Sequence, residues 1–349
     1  MTADPFRVEL TRGELTESVH AVEVAVVDAE DRLVASAGNP DLVTFWRSAA
    51  KPFQALPLLI DGAADRFALG SDAIALACGS HSSEPVHVAL ALRVLAAIGC
   101  QESDLACGPH VPLSPAVHEA ALRAGTAMTP AWSNCSGKHA GMLALARHHG
   151  WLTAGYQRAG HPVQQRILAE VSRWTGLDAG HVGQAVDGCT AVCFALPLRR
   201  MALAYARLGT SREPAAQRLR EAMTAHPELI GGERRLCTEL IRQSGGAVLA
   251  KVGAEGVYCA ALPQAGLGVA LKVLDGDMKS SQVALLGVLA QLDQGALAPT
   301  LASLAGYAAP AIRNTRREAT GVMRAAGALR FHAPLGARSV SPDARPGVS

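Results

Sequence analysis

The hydrophobic period of this chain changes twice, and that change limits its fold more than any other feature. Residues 6–37 carry the alternation of half-buried strands: His20–Val27 and Arg32–Ala37 flank the polar Asp28–Asp31 segment as a hairpin would. From residue 71 to 245 the apolar spacing is helical, with segments such as Glu84–Ile98, Gly137–His148 and Pro162–Thr175 ending in glycine or polar residues. At Gly245-Gly246 the period of two returns. Ala247–Val252, Gly256–Leu262 and Gly266–Val273 read as consecutive strands, followed by a helix near Ser280–Leu292 and a last strand within Thr320–Phe331. Strands at both ends of a helical middle predict an α+β fold. One antiparallel sheet is assembled from the N- and C-terminal segments, with flanking helices and an inserted helical lobe. The expected sheet lobe spans about 1–60 and 245–336, the mainly helical lobe about 61–244, and 337–349 reads as a disordered tail.

Composition removes several classes of function. A net charge of +2 and the absence of a basic stripe with interleaved aromatics argue against nucleic acid. No apolar run reaches about 18 residues, so no membrane span is expected. The first residues lack a basic segment leading into an apolar one, which makes the cytoplasm the default compartment. Eight dispersed cysteines in such a chain are expected to be reduced, small buried hydrophobes.

Lysine is scarce: of 32 basic residues only Lys51, Lys138, Lys251, Lys272 and Lys279 are not arginine. Surface charge is thus supplied by arginine, and a residual lysine is expected where a group able to lose its proton is needed. Lys51 follows Ser48 by three residues, at the start of a helix expected from about Ser48 to Leu59; neighbours at that spacing place Lys51 within reach of the Ser48 hydroxyl. Taken alone, a Ser-x-x-Lys match also fits a helix start with an ordinary exposed lysine. Two more elements follow in order, Ser80-His81-Ser82 in a small-residue loop and Lys251-Val252-Gly253 on a strand. This order is similar to the active-site elements of penicillin-binding proteins and serine β-lactamases, with Ser82 where their asparagine would stand. A serine needs a base as it attacks, and lysine serves as one only when burial or a nearby cation lowers its pKa. Without such a role, Ser80 reads as a helix cap and Lys251 as an edge-strand lysine.

A second constellation is Ser133-Asn134-Cys135-Ser136-Gly137-Lys138-His139, which opens a helix with Cys135, Lys138 and His139 on one face. Asp187-Gly188-Cys189 adds a thiol in a tight turn. Two thiols with nitrogen donors suit zinc; the spacing fits no ordinary zinc motif and equally suits a structural thiol.

Together these runs resemble the asparaginase II family of rhizobial type over about residues 6–333, most specifically in Ser133–His139. The resemblance implies hydrolysis of L-asparagine to L-aspartate and ammonia, a fold related to serine β-lactamases and glutaminases, and a homodimer. It makes Ser48–Lys51 and Ser80–Lys251 the two catalytic Ser–Lys pairs. Cys135, Lys138 and Cys189 would hold an accessory zinc ion that positions substrate. The chain departs from the pattern after Cys189: where the family has a Gly/Asn-Leu-Pro-like stretch, this sequence reads Thr190-Ala191-Val192-Cys193. Arg47 and His81 are candidates for holding the substrate carboxylate. The alternatives are a β-lactamase-like or D,D-peptidase-like serine hydrolase, and a non-catalytic metal- and amino-acid-binding protein on the same scaffold.

Overall fold

The computed structural model describes residues 4–293 and 295–333. The expected tail at 337–349 lies outside the described residues. Twelve strands are found among them: β1 (Phe6–Arg12), β2 (Leu15–Asp28), β3 (Leu33–Ala37), β4 (Val43–Phe45), β5 (Gly183–Val186), β6 (Val192–Pro197), β7 (Leu249–Val252), β8 (Val257–Leu262), β9 (Leu267–Val273), β10 (Ala311–Arg313), β11 (Ala319–Ala326) and β12 (Arg330–Phe331). Nine form one antiparallel sheet in the order β10-β11-β1-β2-β9-β8-β7, with β3 paired to β2 and β12 paired to β3 off this path.

β2 organises this sheet. Its N-terminal half pairs with β1 and its C-terminal half with β3 along the same edge, while Val22–Asp28 pairs with β9 along the other. Val22, Val24, Ala25, Val26 and Val27 are all buried, because helices cover both faces at this point. The Leu198–Thr210 helix packs on β2, β8 and β9, and the Met278–Leu292 helix packs on the opposite side against β1, β9 and β11. The first of these lies so close that a Cβ on Gly268 would sit 1.9 Å from the Ala202 carbonyl oxygen. Only glycine admits that approach.

The α+β architecture is the expected one, and the sheet is drawn from the two ends of the chain. Three differences have physical reasons. β4, β5 and β6 form a separate small sheet in the order β4-β6-β5, with β4 ahead of the first helix and β5 and β6 inside the stretch that reads as helical. These strands are three to six residues long, too short to give a period of their own. The single strand expected near Thr320–Phe331 is divided into β11 and β12 by a turn at Gly327 (φ +96°). The helix expected from Ser48 begins as a 3₁₀ turn over Arg47–Ala50 and becomes α-helical at Lys51, running to Ile60. No helix among the described residues is long and apolar enough to cross a membrane.

Candidate active site

The turn that carries Ser48 is held from several directions. Arg47 has φ +53°, a left-handed conformation that costs an arginine about 1–3 kcal/mol. Its guanidinium meets the Asp187 carboxylate through Nε at 3.0 Å and Nη2 at 2.9 Å. The Trp46 amide donates to the Phe194 carbonyl of β6, and the Tyr205 hydroxyl donates to the Ala49 carbonyl at 2.7 Å. Trp46 also stacks on Phe53 with ring centroids 4.8 Å apart. The bend at Arg47 thus joins β4 to the helix and leaves Ser48 half-buried, beside a fully enclosed core.

Lys51 does not pair with Ser48. Residues 47–50 are wound as 3₁₀, and the Lys51 side chain runs inward to the Gly79–Ser83 loop. Its Nζ donates to the Gly79 carbonyl, to Ser80 Oγ at 2.9 Å and to the Asn134 carbonyl at 3.3 Å. From the opposite side Lys251 Nζ lies 2.9 Å from Ser80 Oγ and donates to the Val252 carbonyl at 2.8 Å. A single hydroxyl therefore bridges two amines. Both lysines are 0% exposed and Ser80 is 4% exposed. β7 is an edge strand of the large sheet, yet Lys251 points into the protein, against the helix Leu236–Gln243.

Burial sets the charge state of these amines. Desolvation lowers the pKa of Lys251 to about 7, helped by the positive charges of Lys51 and Arg235 and opposed by Cys237. Desolvation lowers Lys51 too, while Cys135 pulls it back up. Lys51 has three carbonyl or hydroxyl acceptors for its three protons, so it is the better seat for an ammonium; Lys251 is the amine able to stay neutral near pH 7.

His81 is not placed to meet a ligand. It is 0% exposed, its Nδ1 accepts from the Ser83 amide, and its Nε2 lies 2.9 Å from Ser136 Oγ. Burial, with His87 stacked on it at 4.9 Å, keeps it well below the usual imidazole pKa and neutral. It ties the Ser80 loop to the helix that follows Cys135. Ser82 is likewise used internally, donating to the Gly231 carbonyl at 2.7 Å. His81→Ala is expected to cost roughly 1–3 kcal/mol in stability by stranding the Ser83 amide and Ser136 hydroxyl, a loss that denaturant unfolding measures.

Cys135, Lys138 and Cys189 converge next to this pair of lysines. A Cβ on Gly137 would sit 2.5 Å from the Leu76 carbonyl oxygen, so glycine is what lets the Ser136–His149 helix cross the Ser71–Cys78 helix this closely. That crossing delivers Lys138 to the Asp187–Cys189 turn, where Nζ donates to Cys189 Sγ at 2.9 Å. The two thiols perturb each other's ionisation in opposite directions. The hydrogen bond from Cys189, with Lys51 and Lys138 nearby, holds Cys135 well below the usual thiol range against the cost of burial. The same bond and burial push Cys189 up. Burial opposes the Lys138 charge, but Cys189 and Cys135 more than offset it and raise its pKa. Among the described residues no three His, Cys, Asp or Glu side chains are grouped to hold a metal, so the set depends on Lys138 as its third donor. His139 Nε2 is buried here without a hydrogen-bond partner. All eight cysteines are free.

The residues that reading the sequence leaves out are mostly carbonyls and scaffold groups. Lys51 is held by the backbone of Gly79 and Asn134, which no side-chain pattern reports. Cys237 Sγ accepts from the Val252 amide at 3.2 Å and lies 3.0 Å from the Tyr258 hydroxyl, fixing the strand that carries Lys251.

The family model described as L-asparaginase II matches residues 8–325. No curated protein matches the chain. Among solved structures, Mglu in its native form aligns at 16% identity and a TM-score of 0.38, over 73% of this chain and 56% of Mglu. A beta-lactamase from Mycobacterium bovis aligns at 15% identity and a TM-score of 0.36, over 82% of this chain and 95% of its own. The simvastatin synthase LovD from Aspergillus terreus aligns at 14% identity and a TM-score of 0.35, over 72% and 87%.

Proposed function

Because the chain belongs to the L-asparaginase II family, we propose that it is an amidohydrolase that converts L-asparagine and water to L-aspartate and ammonia. The observation that carries this reading is the Ser80 hydroxyl lying 2.9 Å from both Lys51 Nζ and Lys251 Nζ. Buried paired amines of this kind can take up and return a proton at neutral pH, which amide hydrolysis requires twice.

Ser48 is the nucleophile in this proposal, since its hydroxyl is half-buried whereas Ser80 is enclosed. Ser80 accepts from Lys51 and gives its own proton to neutral Lys251, leaving Lys51 neutral. In this proposal the neutral Lys51 amine turns from its contacts with the Gly79–Ser83 loop toward Ser48 and takes its proton as Oγ bonds to the side-chain amide carbon. The proton on Lys251 passes back through Ser80 to the amide nitrogen, the C–N bond breaks, and ammonia leaves an aspartyl ester on Ser48, with Lys251 neutral again and Lys51 holding the proton that later returns to Ser48 Oγ. Water attacks that ester while the Ser80–Lys251 pair takes its proton, and aspartate is released. Arg47 Nη1 has no hydrogen bond to another described residue and is the candidate for the substrate carboxylate. His81, being enclosed, acts behind the site.

The donor set of Cys135, Lys138 and Cys189 fits a zinc ion by its chemistry: two soft thiols and an amine, with Lys138 Nζ already 2.9 Å from Cys189 Sγ. Bound there, zinc would supply a positive charge that orients substrate. We expect removal of zinc by a chelator to raise KM for asparagine about tenfold with a smaller change in kcat, and added zinc to restore it. Equal losses in both parameters would assign the ion to the chemical step instead.

Ammonia release from L-asparagine and L-glutamine by purified protein is the primary test. Hydrolysis of a chromogenic cephalosporin with no ammonia from asparagine would favour the β-lactamase-like reading. Binding of asparagine without turnover would favour a sensor. The family resemblance also supports a cytoplasmic homodimer; light scattering at working concentration tests the dimer.

A further inference from the structure

The turn that holds Cys189 is strained. Thr190 has φ +74°, a region that glycine and asparagine enter easily and a β-branched residue does not. This is also where the sequence departs from the stretch that the asparaginase II resemblance implies. What threonine adds at this position is a hydroxyl, and that hydroxyl is used: Oγ1 donates to the Ala106 carbonyl at 3.0 Å.

From Ala106 a chain of hydrogen bonds leads back to the helix carrying Lys138. The Ala106 amide donates to the Tyr156 hydroxyl at 3.0 Å, and that hydroxyl lies 2.6 Å from His139 Nδ1. The phenol oxygen accepts the amide and shares one proton with Nδ1, in either direction according to the imidazole tautomer. Lys138 and His139 are adjacent on one element, and Cys189 and Thr190 are adjacent on the other. The two elements are thus joined twice, directly by Lys138 and Cys189 and again by the outer path Thr190–Ala106–Tyr156–His139.

We propose that Thr190 and Tyr156 are positioning residues, whose hydrogen-bonded strap through Ala106 and His139 sets where Cys189 stands relative to Lys138. The proposal rests on the reading of Cys189 and Lys138 as parts of the working site, and it explains why a strained threonine is kept there. Because the links are in series, breaking any one of them releases the whole path.

The test compares Thr190→Val, Tyr156→Phe, their double variant and Thr190→Ser in the full-length protein. Three quantities are read: the rate at which iodoacetamide alkylates Cys189 in metal-free protein, zinc affinity by competition with a chromogenic chelator, and kcat and KM separately. Each single variant is expected to alkylate Cys189 about three- to tenfold faster and to bind zinc about tenfold more weakly, with KM moving more than kcat. Thr190→Ser, which keeps the hydroxyl, should match the parent, and the double variant should be no worse than either single one. Parent-like alkylation in both single variants would overturn the proposal, as would losses that add in the double variant or equal losses in Thr190→Ser and Thr190→Val. If the parent binds no zinc, the metal reading falls alone and the alkylation rates still decide. If Tyr156→Phe fails to fold, Thr190→Val against Thr190→Ser decides.

Discussion

Ser48→Ala is expected to abolish ammonia release from L-asparagine, lowering kcat on the order of 10⁴-fold or more, while leaving the melting temperature near that of the parent. The separation of the two effects follows from where the residue sits. Ser48 Oγ makes no hydrogen bond to another described residue, and the turn around it is fixed by Arg47, Trp46 and Ala49 rather than by its own side chain. Ser80→Ala should behave differently. It removes the hydroxyl shared by two buried amines, so kcat should fall by about 10²–10⁴ as the proton route is cut, and stability should fall with it as two amines lose a partner. Trapping the ester separates the roles directly: turnover quenched in acid should leave one aspartyl group on the peptide containing Ser48. An active Ser48→Ala with the label on the Ser80 peptide would reverse the assignment and make the hydroxyl between the lysines the nucleophile.

The difference between these two serines also marks how far the sequence can be read. That Lys51, Ser80 and Lys251 come together was legible from their order on helix, loop and strand, and from the scarcity of lysine. The burial of Lys51 and Lys251 follows the same logic, since an arginine-rich chain has little reason to keep a lysine on its surface; exposed Lys279 is the ordinary counterexample. What the spacing could not provide was the pairing. Three residues apart on a helical turn makes backbone neighbours but does not say which way a long side chain turns: Lys51 points inward, and its amine meets Ser80 on a loop 29 positions on. The small β4-β6-β5 sheet escaped for a related reason. Its strands are three to six residues long, too short to show a period, and the Trp46–Phe194 backbone bond and the Arg47–Asp187 ion pair that fix the geometry join segments far apart in sequence. His81 shows the limit of residue type as a guide. An imidazole beside a catalytic serine suggests a substrate contact, but only the packed structure shows both its nitrogens occupied and its ring closed off from solvent.

Lys251→Met is expected to remove nearly all activity and at the same time to stabilise the protein, most at low pH. The activity part follows from the base role: a kcat loss of about 10²–10⁴, together with loss of the rise in kcat that the parent should show through a midpoint near 7, where Lys251 becomes neutral. The stability part follows from linkage. Folding depresses the Lys251 pKa from the ordinary lysine value of 10.5 to about 7. Between those values the unfolded chain binds a proton that the folded one does not, so stability rises with pH through that window, by at most about 1.4 kcal/mol per unit from this group. Below about 7 the folded protein must bury the charge and the cost is largest; above 10.5 it vanishes. Methionine fills similar space without that cost. The variant should therefore exceed the parent in melting temperature near pH 7, with the gap closing as pH approaches 10, even though the bridge to Ser80 is lost. Lys51 is shifted in the same direction and remains in the variant, so a residual slope of the same sign is expected there. Melting curves of both proteins from pH 6 to 10 decide the matter. A gap that does not narrow with rising pH would mean that Lys251 is not held neutral by burial. An activity midpoint near 7 that survives in Lys251→Met would place the base elsewhere.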